Sequence, residues 1–290
     1  MECRKKAAIC IYIYIMTGFF HSSRIVRSIL IETKSWIEFA RRKGTVASPR
    51  DGEDVAEVRE AILKNTEITQ DHLTPELKLH LLTPNCPLYH APNEDKSRSV
   101  GIPWPYQDPF WSIYWPGGQA LTRFILDEGN TIFRSSSNGT SALRKDEITV
   151  LDLGAGCGAS AIASKLTGAS SVLANDIDPV ACVAMNMNAA LNSVQISISK
   201  ENLIAQPYNG NFHVILVGDL LYDEVIAGSL IVWLNEALAA GSQIYLGDPG
   251  RHGLTDTLRR RWKILREYPL PENVRRENRG FDTACVWQFS

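Results

Sequence analysis

The chain has no C-x-x-C pair. Its six cysteines, at positions 3, 10, 86, 157, 182 and 285, have no histidine spaced to complete a zinc pattern. A structural zinc site is therefore excluded, and the cysteines read as free thiols in a reducing compartment. No apolar run spans a bilayer, which needs about 20 residues; residues 7–20, behind Arg4, Lys5 and Lys6, fall short. That run is also followed by no clean small-x-small cleavage site of a secretory signal. Internal repeats and long low-complexity tracts are missing, and none of the six histidines sits in a motif. Clustered positive charge is lacking where a nucleic-acid surface would need it. Residues 1–50 carry ten Lys and Arg against three acids, a net +7, so the rest of the chain carries −9. The acidic body suits a basic substrate and no nucleic acid.

What is present begins with that basic leader. Ile25, Ile29, Trp36, Ile37 and Ala40 recur at near-helical spacing, with Arg24, Arg27, Lys34, Arg41 and Arg42 between them and Ser22, Ser23, Ser28 and Ser35 nearby. An amphipathic segment rich in Arg and Ser and poor in acids reads as a mitochondrial transit peptide. The plainer reading is a surface helix of a cytoplasmic protein. Met16 would begin a tidier presequence. The expected organisation is a leader over 1–50, disordered or cleaved, an extension over 51–110 packed on the core, and a catalytic domain over 111–290.

Periodicity predicts a helix over 54–65 and, after Pro75, a second short helix within a Pro-rich stretch of turns. Beyond Trp111 the pattern becomes an alternation. Helices are expected over 117–127, through 166, and over 179–191, 225–239 and 254–262. Strands are expected over 148–153, 171–175, 194–199, 212–217, 243–246 and 283–289. Apolar strands between helices predict an α/β fold, a Rossmann-like sheet covered by helices on both faces. Ligands of such sheets sit beyond the strand carboxyl ends.

VLDLGAGCG, residues 150–158, is a buried strand running into a glycine turn and a helix. Gly154 and Gly156 allow positive φ and close ligand approach. The same spacing satisfies the dinucleotide pattern G-x-G-x-x-A, with Asp176 about twenty residues on, as in NAD proteins. A methyltransferase and a dehydrogenase are both open at this point, as is a turn that binds nothing. Asp152 favours the former: a carboxylate there holds the ammonium of a sulfonium amino acid and repels a pyrophosphate. Asp176 can accept both ribose hydroxyls, and Asp178 can cap the helix after Pro179.

Further motifs narrow the reading. Asp219 and Tyr222 form D-x-x-Y in GDLLYDE (218–224), Trp115 precedes a glycine pair in PFWSIYWPGGQAL (109–121), and GDPGR occupies 247–251. From about residue 65 to the C-terminus, this combination resembles the seven-β-strand protein-lysine methyltransferases with a D-x-x-Y motif, and among them the mitochondrial branch acting on the electron transfer flavoprotein β subunit. The resemblance implies a seven-stranded sheet, S-adenosylmethionine as cofactor, no metal, and a protein substrate met as a monomer in the mitochondrial matrix. It implies that Gly154, Ala155 and Gly156 hold the methionine part near Asp152, and that Asp176 takes the ribose. Asn202 would lie beside the adenine, with Gly218 and Trp115 against the cofactor. Asp219 and Tyr222 would receive the lysine. Bland roles remain open for Trp115 as a core aromatic, Asp219 as a helix cap and Asn202 as a turn residue. Alternatives are another acceptor (a ribosomal protein or a small molecule), an NAD(P)-dependent oxidoreductase, and a non-catalytic cofactor-binding interaction module.

Overall fold

The computed structural model describes residues 54–90, 106, 108–133, 148–278 and 280–290. The leader lies outside the described residues. The helix α1, Asp54–Asn65, is followed by two short antiparallel strands, β1 Glu67–Thr69 and β2 Leu79–Leu81. The helix expected after Pro75 is absent. A turn there feeds β2, because Leu77, Leu79 and Leu81 alternate at strand period and all three are buried. The amides of Lys78, just before β2, and His80, on it, donate to the Asn192 and Asn188 side chains at 3.0 and 2.8 Å.

Alternation then takes over: α2 Pro116–Ile132, β3 Thr149–Leu153, α3 Ala159–Leu166, β4 Ser171–Asn175, α4 Pro179–Leu191, β5 Ser197–Ser199 and β6 Val214–Gly218. After these come α5 Glu224–Ala239, β7 Gln243–Asp248, α6 Asp256–Arg261, β8 Lys263–Pro269, α7 Glu272–Glu277 and β9 Thr283–Gln288. Starts follow local chemistry. Pro116 opens α2, and Asp178 caps α4 by accepting from Val180 N at 2.8 Å.

The large sheet has seven strands in the order β5-β4-β3-β6-β7-β9-β8. The first five run parallel, and β9 is antiparallel to both β7 and β8. At this edge the sheet departs from its parallel run, and β8 and α7 are not among the elements that periodicity predicts. The side chains of β8 are largely exposed, so no apolar run marks it. Val150, Val214 and Leu216 pack on one face with α2 and α3, whereas Leu151, Leu153, Ile215 and Val217 pack on the other with α5. This alternation places Asp152 on the α2/α3 face. Strand order reverses at β3, with β4 on one side and β6 on the other, and the crevice beyond that reversal is where such sheets bind ligands.

Candidate active site

A cleft with an empty volume of about 380 Å³, part of it open to solvent, lies at that reversal. Its lining includes Trp115 and Gly118 from α2 and its approach, and Asp152, Gly154, Ala155 and Gly156 from the turn after β3. Ser160 comes from α3, and Gly218 and Asp219 from the end of β6. The lining holds two carboxylates and no Lys, Arg or His.

The glycine turn is wound by three left-handed glycines, Gly154, Gly156 and Gly158, at φ 67°, 54° and 80°. Three of its amides are occupied by the chain itself. Ala155 N donates to Asn175 O at 2.9 Å, Gly156 N to Asp176 Oδ2 at 2.9 Å, and Gly158 N to Ala155 O at 2.8 Å. A pyrophosphate needs such N–H groups free. The Asp176 carboxylate thus braces the turn, and its Oδ1 accepts from Asp178 N at 3.0 Å. Each oxygen keeps a second lone pair for a hydroxyl.

Asp152 is 2 % exposed, and its Oδ2 accepts from Ala161 N at 2.9 Å. Burial pushes its carboxyl up to about 7; the Ala161 amide opposes this, and nearby Asp176 adds to it. Burial likewise raises Asp176. Across the cleft Asp219 holds φ 57°, unusual for a residue with a side chain, and is 6 % exposed. Burial pushes its carboxyl up to about 6, Arg251 pulls it down and Asp248 pushes it up. Its Oδ2 accepts from Gly118 N at 2.7 Å, and its Oδ1 from Arg251 Nε at 2.8 Å.

Glycines also let this half close up. A Cβ on Gly247 would overlap the Gly117 carbonyl oxygen, and one on Gly218 would stand 3.0 Å from Gly118 Cα. Trp115 precedes α2, with its indole Nε1 donating to Phe110 O at 3.0 Å.

The structure therefore gathers Trp115, Asp152, Gly154, Ala155, Gly156, Gly218 and Asp219 round one cleft, with Asp176 behind the turn. Tyr222 lies outside the lining, half exposed; burial raises its phenol, and Asp223 and Asp176 raise it further. Asn202 is also outside it, exposed at the start of a short 3-10 turn, Leu203–Ala205. Arg251 was not among the sequence candidates, although it closes the GDPGR motif. Its signal was a cation directly after a glycine turn at a strand end, and only the fold shows that it meets Asp219.

A family model described as ribosomal protein L11 methyltransferase matches residues 138–244. The electron transfer flavoprotein beta subunit lysine methyltransferase of Mus musculus is 42 % identical over 229 residues, covering 78 % of this chain and 82 % of that protein. The protein of the same name from Homo sapiens is 39 % identical over 241 residues, covering 80 % and 82 %. A ribosomal protein L11 methyltransferase of Caldicellulosiruptor saccharolyticus is 38 % identical over 103 residues, covering 33 % and 34 %.

Proposed function

The chain belongs to the electron transfer flavoprotein beta subunit lysine methyltransferase family, and from that membership we propose that it methylates lysine on the flavoprotein β subunit, in the mitochondrial matrix, with S-adenosylmethionine. The observation that carries the reading is the charge of the cleft. Asp152 faces a space lined by no basic side chain, Asp219 meets it already paired with Arg251, and the amides of Ala155, Gly156 and Gly158 in the glycine turn are taken. Such a lining fits a cationic sulfonium and disfavours a diphosphate, which weighs against the oxidoreductase alternative.

S-adenosylmethionine, when bound, supplies a methyl group already activated on sulfur. The chain's work is binding and alignment. Asp152 holds the ammonium of the amino-acid part, directly or through water. The turn of Gly154, Ala155 and Gly156 presents bare backbone to it, because a Cβ on Gly156 would meet nothing nearer than the Trp111 backbone at 3.8 Å. Asp176 takes the ribose hydroxyls, Gly218 and Trp115 flank the nucleoside, and Asn202 stands toward the adenine edge. Asp219 receives the acceptor lysine and Tyr222 covers it from the rim. Free lysine, with a pKa near 10.4, is cationic at neutral pH and must shed a proton before its nitrogen can attack. Asp219 orients the ammonium, and the proton leaves to water. Methylation keeps the charge of the acceptor and changes its size and hydration, so its effect falls on what docks against that lysine.

The matrix location rests on the basic, acid-poor leader, and the enzyme is proposed to act as a monomer. Incubating the purified chain with labelled S-adenosylmethionine and mitochondrial extract tests the acceptor. Label on lysine of the flavoprotein β subunit is expected, and label confined to other proteins refutes that assignment. Mass spectrometry of the mature N-terminus tests the leader: peptides from residues 1–40 in the mature protein refute cleavage.

A further inference from the structure

We infer that Arg251 is a positioning residue for methyl transfer, which fixes the Asp219 carboxylate as the acceptor of the lysine ammonium; this rests on Asp219 receiving that lysine. Asp219 leaves β6 in a left-handed conformation and needs external support. Two grips hold its carboxylate. The amide of Gly118, in the first turn of α2, takes Oδ2. Nε and Nη2 of Arg251 both take Oδ1, each at 2.8 Å.

Arg251 is itself held. Its guanidinium carbon lies 5.4 Å from the Trp115 ring centroid and 5.7 Å from that of Phe281, and its side chain is 17 % exposed. Its backbone is aimed by Asp248. The Oδ1 of that buried carboxylate accepts from Gly250 N at 2.7 Å and Arg251 N at 2.8 Å, and Gly250 turns at φ 103°. A flat cation that donates twice to one oxygen while lying against aromatic rings is a geometry lysine cannot copy.

Few groups decide the charge on Asp219. The loop after β7 brings Arg251, which favours the anion, and Asp248, which opposes it. From α2 comes the neutral Gly118 amide, and the facing wall of the cleft carries Asp152. Arg251 is thus the one side-chain cation acting on Asp219 among these groups. Without it, burial and Asp248 push the carboxyl toward protonation near neutral pH, and a protonated carboxyl loses most of its hold on an ammonium.

The test compares the full chain with its Arg251→Gln and Arg251→Lys variants. It reads kcat and KM for the protein substrate between about pH 5.5 and 9.5, and uses calorimetry with S-adenosylmethionine to show an intact fold. Wild type is expected to lose kcat/KM below pH about 6, where Asp219 takes up its proton. Arg251→Gln should move that limb up by about one pH unit or more, cost roughly tenfold in kcat/KM at pH 7, and recover toward pH 9. Arg251→Lys should keep the limb and lose roughly threefold or more, because charge survives and the fork does not. A pH profile of Arg251→Gln that overlays wild type, or a deficit equal at every pH, overturns the inference. If Arg251→Gln no longer binds cofactor, Arg251→Lys decides, and wild-type turnover in that variant overturns it. An active Asp219→Asn would instead overturn the reading of Asp219 itself, independently of Arg251.

Discussion

The cleft has two halves that handle buried charge in opposite ways. On the glycine-turn side, Asp152 and Asp176 are held by backbone amides, and no ion pair to either is found among the described residues. On the side of the loops after β6 and β7, Asp219 is as deeply buried as Asp152 but carries its own counter-ion in Arg251. Burial raises both carboxyls, and only that of Asp219 is pulled back down by a cation. A carboxylate left without a partner waits for positive charge from outside, which is what a cofactor seat requires. A carboxylate already neutralised keeps its shape when the cleft is empty, which is what a site for a transient substrate requires.

The comparison breaks most visibly at Asp219. Asp219→Ala should lower kcat/KM by about a hundredfold or more while the dissociation constant for S-adenosylmethionine stays within about threefold. Steady-state assays and calorimetry check this; joint loss of both would mean that the halves are not separate. A backbone contrast sharpens the same point. Gly247→Ala would drive a methyl into the Gly117 carbonyl, so a loss of about 3 kcal/mol in denaturant melts is expected. Gly156→Ala would meet only the Trp111 backbone, at an unstrained 3.8 Å, and should cost only about 1–2 kcal/mol for its positive φ, while blocking the cofactor.

Asp152→Asn is the intermediate case. The Asp152 carboxyl is raised in the folded protein, so its contribution to stability is full below its unfolded value, near 4, and is lost as pH rises through about 7. The variant lacks that loss. It should melt higher than wild type at pH 8, and the gap should narrow at pH 5. With Asp152 as the proposed holder of the cofactor's ammonium, the same change should weaken binding roughly tenfold. Greater stability with unchanged affinity would show that Asp152 is a structural burden and not a cofactor ligand.

The glycine-turn half was largely legible in sequence because its logic is local. Strand, glycines, helix and the capping Asp178 lie within thirty residues, and each residue type has a short-range reason to be there. D-x-x-Y and GDPGR were equally visible as strings, but the bond between them was not. Asp219 and Arg251 lie 32 positions apart and meet only because β6 and β7 are neighbours. Asp176 shows the same limit, since its grip on Gly156 N depends on β3 pairing with β4. At the far edge, β8 was missed because Lys263, Arg266 and Glu267 face solvent and erase the hydrophobic pattern. The segment after Pro75 was misread because a proline followed by acidic and apolar residues also fits a helix start. Only the packing of Leu77, Leu79 and Leu81 decides for a strand.

The smallest effect belongs to Asn202, which sits on the glycine-turn side but outside the lining of the cleft. Its side chain is exposed and makes no capping bond to the turn it precedes, so folding makes little use of its amide. The neighbouring end of β5 is where the adenine would reach once Asp176 has the ribose. A single neutral hydrogen bond in contact with water contributes about 1 kcal/mol or less. Asn202→Ala should therefore weaken S-adenosylmethionine binding by about three- to fivefold, leave kcat at saturating cofactor unchanged, and leave the melting temperature within about 1 °C. Binding equal to wild type would remove Asn202 from the site and confine the first half of the cleft to the glycine turn and its two carboxylates. A fall in kcat would be the more damaging result, because it would mean that the cofactor-holding side also governs the chemistry assigned to Asp219.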